Sequence, residues 1–311
     1  MCQRESIGVR ERAVKICAIA GLMPQASSLL DGLLNEGSGY TPPSVSFLPV
    51  LNAYRKLRRT GKIEEYLDKI TNAYRSYNSS DILDVYPLNI YIGALCDTKQ
   101  FHKALDLLQP GVSMQRFGVD ADLVSFNTVL SSSIRRGELK IANAAADLLI
   151  ESGLSKDIYT YNALIRVANK SRNRRRALSL IDQVISSEKM KGDKYFVDNA
   201  LVPLLDADRF VDAMNLLNSL DVEKHPDKAS DTFSALLLTL CKSERHLGTA
   251  KFVLETFILY DSSSKKADPI TRHFNIILDG YKRTGQYSLA VALIKTMMRN
   301  DVKPDGKMDG L

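Results

Sequence analysis

Apolar residues along the chain recur at helical spacing and are interrupted by short polar turns. Val129, Leu130 and Ile134 lie three to four residues apart, and a polar turn with Gly137 follows them. A second apolar series then runs from residue 139 to residue 149. Three- and four-residue spacing is typical of an amphipathic helix, and a glycine after such a series marks its end. The pattern predicts two helices joined by a tight turn.

The same pattern repeats along the chain. Residues 123–130 and 158–165 correspond position by position, so that Asn127 and Asn162 lie 35 residues apart. Asn275 opens a third clear copy, and an alanine follows each of the three by fifteen residues. Weaker copies fill the remainder, giving eight units that start near residues 7, 44, 85, 123, 158, 194, 230 and 271. A single helix pair cannot bury its apolar face alone, so we predict a stacked all-α solenoid with a concave groove.

The repeats divide the chain into four segments of differing regularity. We expect residues 1–43 to form a degenerate N-terminal repeat or cap, and residues 44–122 to form the divergent second and third repeats. Residues 123–305 hold repeats four to eight. Residues 306–311 form a tail that stops just after a repeat boundary, which favours a fragment of a longer protein.

The composition and the net charge exclude few of the possible functions of the chain. With 45% hydrophobic and 25% charged residues, the chain has the composition of a folded protein. A net charge of +6 suits a polyanionic partner, but a merely soluble basic protein would show it as well. The four cysteines form no C-x-x-C pair, so we expect free thiols. No apolar run reaches the roughly 20 residues of a membrane span, and no signal or transit peptide is visible.

Three segments carry a resemblance to a known family. Each has an aromatic residue directly before an asparagine, then a turn position ten residues after the asparagine and an alanine five residues further on: Phe126-Asn127, Tyr161-Asn162 and Phe274-Asn275. With the terminal Asp157 and Pro304-Asp305, they resemble the pentatricopeptide repeat family, clearly over residues 44–305 and weakly over 7–43. The resemblance implies a right-handed α-solenoid superhelix of about eight helix-turn-helix repeats. A protein-binding scaffold of tetratricopeptide type is the alternative, although its tryptophan-containing opening is absent.

The resemblance implies sequence-selective binding of single-stranded RNA, one base per repeat. In that family the first-helix asparagine and the last residue of the repeat choose the base, and Asn with Asp implies uracil. The pairs here are Asn89 with Asp122, Asn127 with Asp157, Asn162 with Asp193, Asn199 with Asp227, Ser234 with Asp268, and Asn275 with Asp305. Because Ser with Asp favours guanine, the implied preference is U-U-U-U-G-U. Leu48 and Glu11 fit no pairing rule, so the first two units are expected to be caps. The alternative is that these Asn and Asp residues only cap helices.

Two further sets of residues complete the expected interface. By resemblance, the residue three before each asparagine flanks the bases, at Tyr86, Val124, Tyr159 and Phe196, whereas Asp231 and Arg272 break the pattern. Basic residues recur eight positions after the selecting residue, which suits contacts to phosphates along a groove: Lys56, Arg135, Lys170, Lys242 and Arg283. Asp97 and Ala207 interrupt this row, and a merely solvated charged face is the alternative.

Catalytic motifs are absent from the sequence. The four histidines are scattered and none lies in an H-x-E or H-E-x-x-H motif. We therefore expect no enzyme activity, no metal or other cofactor, no small-molecule substrate and no membrane partner. The resemblance implies a chloroplast or mitochondrial protein that binds RNA, alongside other RNA-processing proteins, in processing, stability, splicing or translation.

Overall fold

The chain folds into helices throughout the part that the structure describes. The structure is a computed structural model, and it describes residues 2–35, 43–76, 84–187, 190, 193–219, 233–234, 236–238, 240–242, 244–261, 267–300 and 302. Over these residues, all regular secondary structure is helical. The prediction of an all-α fold built from helical repeats is confirmed, whereas the handedness of a superhelix stays a prediction.

Sixteen α-helices with defined bounds follow one another in the described ranges. They are α1 (Cys2–Ile19), α2 (Met23–Asn35), α3 (Ser44–Lys56), α4 (Thr60–Ser76), α5 (Tyr86–Asp97), α6 (Phe101–Leu107), α7 (Val112–Phe117), α8 (Leu123–Arg136), α9 (Leu139–Glu151), α10 (Ile158–Lys170), α11 (Arg174–Ile185), α12 (Lys194–Asp206), α13 (Phe210–Ser219), α14 (Leu247–Asp261), α15 (Ala267–Arg283) and α16 (Tyr287–Arg299). The described residues between 233 and 240 are also helical, and a 3-10 turn spans Glu244–His246.

The helices form two compact units, Met1–Asn173 and Arg174–Leu311. In the first unit the leading helices of successive repeats pack side by side, α1 on α3, α3 on α5, α5 on α8 and α8 on α10. Each second helix packs against its own first helix, as α9 does on α8. In the second unit α12 packs on α11 and α13, and α15 packs on α14 and α16. The helices thus pack within their own repeat and against the next repeat, which is the arrangement of a helical-repeat array.

The turn inside each helix pair has the same backbone conformation in seven repeats. The residue at this turn has a positive φ, as Gly137 shows with a φ of 80°. The others are Gly21, Arg58, Lys99, Arg172, Asp208 and Gly285. A left-handed residue directly after a helix lets the turn satisfy the last helical carbonyl groups. Backbone geometry therefore repeats here even where glycine does not.

A buried alanine lies at the centre of the packing between helices in seven repeats, and Ile63 takes its place in the second. Ala142 is fully buried, and Val129 and Leu130 of the facing helix are buried with it. The corresponding alanines of the other repeats are buried in the same way: Ala26, Ala104, Ala177, Ala213, Ala250 and Ala290. A side chain of one carbon lets two helices approach closely without leaving a void.

The third repeat departs from the simple helix pair. Its second helix, α6, ends before Pro110, whose missing N–H and rigid ring disfavour helix continuation. The short helix α7 follows and packs against α4 of the second repeat. Phe117 lies edge-on against Tyr91 with ring centroids 6.0 Å apart, and Arg116 forms an ion pair with Glu64. The insertion explains why this repeat is longer than the next.

Candidate nucleic-acid interface

An aspartate stands directly before the first helix in three repeats. The carboxylates of Asp122, Asp157 and Asp193 each accept a hydrogen bond from the backbone N–H three residues later, at 2.9, 2.8 and 2.8 Å. This is the geometry of a helix N-cap, which satisfies a donor that the helix itself leaves unpaired. The capping aspartate fixes the register of these three helices. Counting positions from the residue after it makes the left-handed turn residue the fifteenth, and the same count from Gly21, Arg58, Lys99 and Gly285 defines the positions of the repeats without a capping aspartate.

The fifth-position asparagine of the third repeat contacts the capping aspartate of the fourth. The Asn89 amide Nδ2 donates to Asp122 Oδ1 over 3.2 Å, and the Ser125 hydroxyl donates to Asn89 Oδ1 over 2.5 Å. Ser125 occupies the third position of α8, and its backbone N–H donates to Asp122. The two residues that the resemblance pairs therefore lie in direct contact, joined by a hydroxyl of the next helix.

A related arrangement recurs at other junctions of the first unit. Asn127 Nδ2 donates to Thr160 Oγ1 over 3.0 Å, and that hydroxyl donates to Asp157 Oδ1 over 2.6 Å. Asn127 Oδ1 is buried and accepts no hydrogen bond from the described residues. In the first repeat the fifth-position Glu11 accepts a hydrogen bond from the third-position Ser46 over 2.8 Å. The link between the fifth position and the next third position is therefore a regular feature of this unit.

The structure describes the remaining selecting residues to differing extents. Asn162 is buried within α10 of the first unit, and Asp193 caps α12 of the second. Ser234 is buried, and Asn275 is half-buried. Asp268 lies within the first turn of α15, which begins at residue 267, so it does not stand directly before its helix as the capping aspartates do. Asp227 and Asp305 lie outside the described residues.

In the sixth repeat, the positions found in the structure are shifted by one residue from those in the sequence alignment of the repeats. Counting from the Asp193 cap places Asp198 at the fifth position and Asn199 at the sixth. Two landmarks agree, because the left-handed Asp208 and the buried Ala213 lie ten and fifteen residues after Asp198, as in the other repeats. Asn199 donates its side-chain amide to the carbonyl of Tyr195 over 2.7 Å. The register of the structure therefore puts Asp198, not Asn199, at the fifth position of this repeat.

The same shift corrects the base-flanking residue of the sixth repeat. Phe196 is at the third position and is completely buried, so it cannot lie beside a bound base. Tyr195 takes the second position and is 71% exposed. The sequence alignment followed an Asn-Ala-Leu segment that resembles the other openings. Counted from Asn199, Ala213 comes one residue earlier than the alanines of the other repeats, and this difference could have shown that the alignment was shifted.

Exposed second-position side chains form a recurring feature of the first helices. Tyr86, Val124 and Tyr159 are 62, 56 and 70% exposed, whereas Leu88, Phe126 and Tyr161 of the same helices are buried. With Tyr195, three aromatic rings occupy this position in four helices. Exposed tyrosine rings are surfaces on which unpaired bases stack. Tyr86, Val124 and Tyr159 are therefore accessible, and their place beside bound bases stays a prediction.

The five predicted phosphate-contacting cations are all exposed. Lys56, Arg135, Lys170, Lys242 and Arg283 lie at or just beyond the ends of first helices. Cations at a helix C-terminus also stabilise the helix dipole, which is a structural reason for the same placement. Arg283 donates to the backbone carbonyl of Cys241 of the preceding repeat.

Two carboxylates interrupt this row of cations. In the third repeat Asp97 takes the corresponding place, and its carboxylate accepts a hydrogen bond from Arg55 over 2.8 Å. In the sixth repeat the corrected register puts Asp206 there, where the sequence alignment had put Ala207. The positive row is therefore broken by an opposite charge in two repeats.

Three properties of the described residues bear on other possible functions: the grouping of metal ligands, the state of the cysteine thiols and the length of apolar helices. No three His, Cys, Asp or Glu side chains among them lie close enough together to hold a metal ion. Burial raises the pKa of the Cys96 and Cys241 thiols to about 11, which keeps both protonated near neutral pH. Within the same ranges, no helix is both long and apolar enough to cross a membrane.

The fold and the recurring polar positions define a helical-repeat protein whose first helices present equivalent side chains at regular intervals. Residues 147–189 match the pentatricopeptide repeat domain, and residues 272–302 match the single pentatricopeptide repeat. These two segments are similar to the repeats of the pentatricopeptide repeat family.

Two relatives from Arabidopsis thaliana and one solved structure are similar to this chain. The chain is 28% identical over 204 residues to the small ribosomal subunit protein mL103 (rPPR7) of Arabidopsis thaliana, covering 65% of this chain and 47% of that protein. It is 24% identical over 139 residues to a pentatricopeptide repeat-containing protein of the same plant, covering 44% and 18%. The crystal structure of the pentatricopeptide repeat protein PPR10 from maize aligns with a TM-score of 0.55 at 18% identity, covering 95% of this chain and 40% of that one. The chain thus spans less than half the length of each.

Proposed function

We propose that this chain binds single-stranded RNA and selects its bases through the fifth-position side chains of its repeats. The observation that carries the proposal is the contact between Asn89 and Asp122, which brings together two residues 33 positions apart that the family resemblance pairs. A related link at Asn127 and Asp157 repeats the arrangement one repeat further on. A regular array of such pairs is what recognition of one base per repeat requires.

The chemistry of the surrounding residues supports the same proposal. An asparagine amide carries both donors and an acceptor, so it can match the Watson–Crick edge of an unpaired base. The exposed Tyr86 and Tyr159 rings can stack on bases, a contact typically of about 1–3 kcal/mol per base. The exposed cations, among them Lys170, can contact phosphates and supply attraction that does not depend on sequence.

The mechanism we propose is passive binding rather than catalysis. Holding a short RNA segment extended would shield it from nucleases, prevent hairpins or present it to RNA-processing proteins. Similarity to the pentatricopeptide repeat family supports an organellar role, in a chloroplast or a mitochondrion, in RNA processing, stability, splicing or translation. The Asn–Asp pairs favour a U-rich segment, with its 5′ end toward the N-terminus of the protein.

Binding of a labelled RNA at several salt concentrations tests the proposal. We expect a 12-nucleotide U-rich single strand to bind, and the logarithm of its affinity to fall linearly with the logarithm of the salt concentration. The same sequence paired with its complement should bind much more weakly, because its base edges are covered. Absent binding, or equal binding to the duplex, would contradict the proposal.

A protein-binding scaffold in a larger complex is the second candidate. The observation that favours it is the similarity to a small ribosomal subunit protein, a component of a ribonucleoprotein particle. A scaffold would bind protein partners and show little affinity for free single-stranded RNA at moderate salt. The salt titration therefore separates the two functions.

A further inference from the structure

We propose that the sixth repeat selects guanine and rejects uracil, because its fifth position is the aspartate Asp198. This inference rests on the proposed RNA-binding function and assigns a base to one repeat of it. It replaces the uracil that the sequence alignment implied when it placed Asn199 at the fifth position.

The placement of Asp198 follows from four independent landmarks. The Asp193 cap, the completely buried Phe196 at the third position, the left-handed Asp208 and the buried Ala213 agree on one register. Asn199 lies one position further along, where its side-chain amide donates to the Tyr195 carbonyl of its own helix. The register is therefore set by backbone geometry and burial as well as by residue identity.

The positions around Asp198 on α12 correspond to those around Asn89 on α5, the helix whose asparagine contacts Asp122. On α5 the second, fifth, ninth and thirteenth positions are Tyr86, Asn89, Gly93 and Asp97. On α12 they are Tyr195, Asp198, Val202 and Asp206, and all four are exposed. Asp198 therefore stands on the same face as the exposed tyrosine, one turn further along the helix.

A carboxylate and an amide recognise different base edges. A carboxylate offers two acceptor oxygens and no donor, whereas an amide offers both. The Watson–Crick edge of guanine presents two adjacent donors, N1–H and N2–H, which two carboxylate oxygens can accept together. The edge of uracil presents one donor between two carbonyl oxygens, which would face the carboxylate. Adenine and cytosine each present one donor beside an acceptor. Asp198 therefore fits guanine best and uracil worst.

Four RNAs that differ at one nucleotide test this inference. With the third to eighth repeats aligned on 5′-UUUNGU-3′, the base N faces the sixth repeat. We expect the wild-type chain to bind the guanine form about tenfold more tightly than the uracil form, within the range of a two-bond base contact. Asp198→Asn should remove this preference or reverse it toward uracil. Asparagine has nearly the same shape as aspartate, so the variant should keep its helical spectrum.

A matched substitution one residue away separates the two possible registers. Asn199→Ala should leave the preference at N unchanged, because its amide bonds to its own helix. The inference is overturned if the wild type binds all four RNAs equally or prefers uracil, or if only Asn199→Ala changes the base. RNA binding with such a result would leave the proposed function intact. Failure of every RNA to bind would instead contradict the proposed function itself, and the inference with it.

Discussion

The amide of Asn89 and the carboxylate of Asp122 share a hydrogen bond of 3.2 Å, although the residues belong to successive repeats. Asp122 is at the same time the N-cap of α8. Helix capping and pairing with the fifth position are therefore two properties of one carboxylate, not alternatives. A capped helix also holds the carboxylate in a fixed place, which base selection needs.

The Asp157 cap should stabilise the fourth and fifth repeats. Replacing it with alanine removes the acceptor for the Thr160 N–H, and loss of such a cap costs about 1 kcal/mol. Asp157→Asn should cost little, since asparagine caps helices about equally well. Thermal melts followed by circular dichroism measure both. Equal melting temperatures for the alanine variant and the wild type would show that the cap contributes no stability.

Changing the fourth-repeat pair should change its base. Under the family rule, Asn127→Thr together with Asp157→Asn redirects the repeat from uracil to adenine. The fold should survive, because the asparagine at 157 still caps α10. We expect the affinity for an RNA with adenine at the second position of the site to exceed that for uracil by about tenfold, typical of a base mismatch. Unchanged selectivity in a folded variant would mean that the pair is structural only.

The cations at the ends of the first helices should contribute to RNA affinity without base preference. Replacing Arg135 and Lys170 with alanine should weaken binding of every sequence and reduce the salt slope by about one for each lost phosphate contact. Lys140, an exposed cation on the second helix α9, provides the matched control. If Lys140→Ala weakens binding as much as the other substitutions do, the attraction comes from net charge rather than from a row of sites.

The sequence predicted the helix pairs and their turns because these depend on local spacing, whereas the pairing of Asn with Asp was implied by the family resemblance. Asn127, Gly137 and Ala142 stand at regular intervals that a single sequence reveals. The sixth repeat was misaligned because Asn199 completes a familiar opening, while the Asp193 cap and the burial of Phe196 appear only in three dimensions. Likewise, the packing of α7 on α4 depends on contacts between distant residues, which periodicity does not encode.

Close packing at Gly280 should make this site intolerant of a larger residue. A Cβ added there would lie 2.8 Å from Leu247 Cδ2 and 3.1 Å from Cys241 Cβ. Gly280→Ala should therefore destabilise the second unit by about 1–3 kcal/mol, the usual cost of overpacking. A Cβ added to Gly248 of the same unit meets no atom within 4 Å, so Gly248→Ala should be tolerated. Similar melting temperatures for the two variants would contradict the packing at Gly280.

Selection from a random pool of single-stranded RNA tests the central claim most directly, because it presupposes no sequence. Bound RNA is recovered at moderate salt and sequenced. The account predicts enrichment of a short U-rich segment in which guanine follows three uracils, as in 5′-UUUGGU-3′. The Asn127→Thr and Asp157→Asn double variant should replace the second uracil with adenine. Recovery of RNA without sequence enrichment, or no recovery above background, would contradict base selection by these repeats.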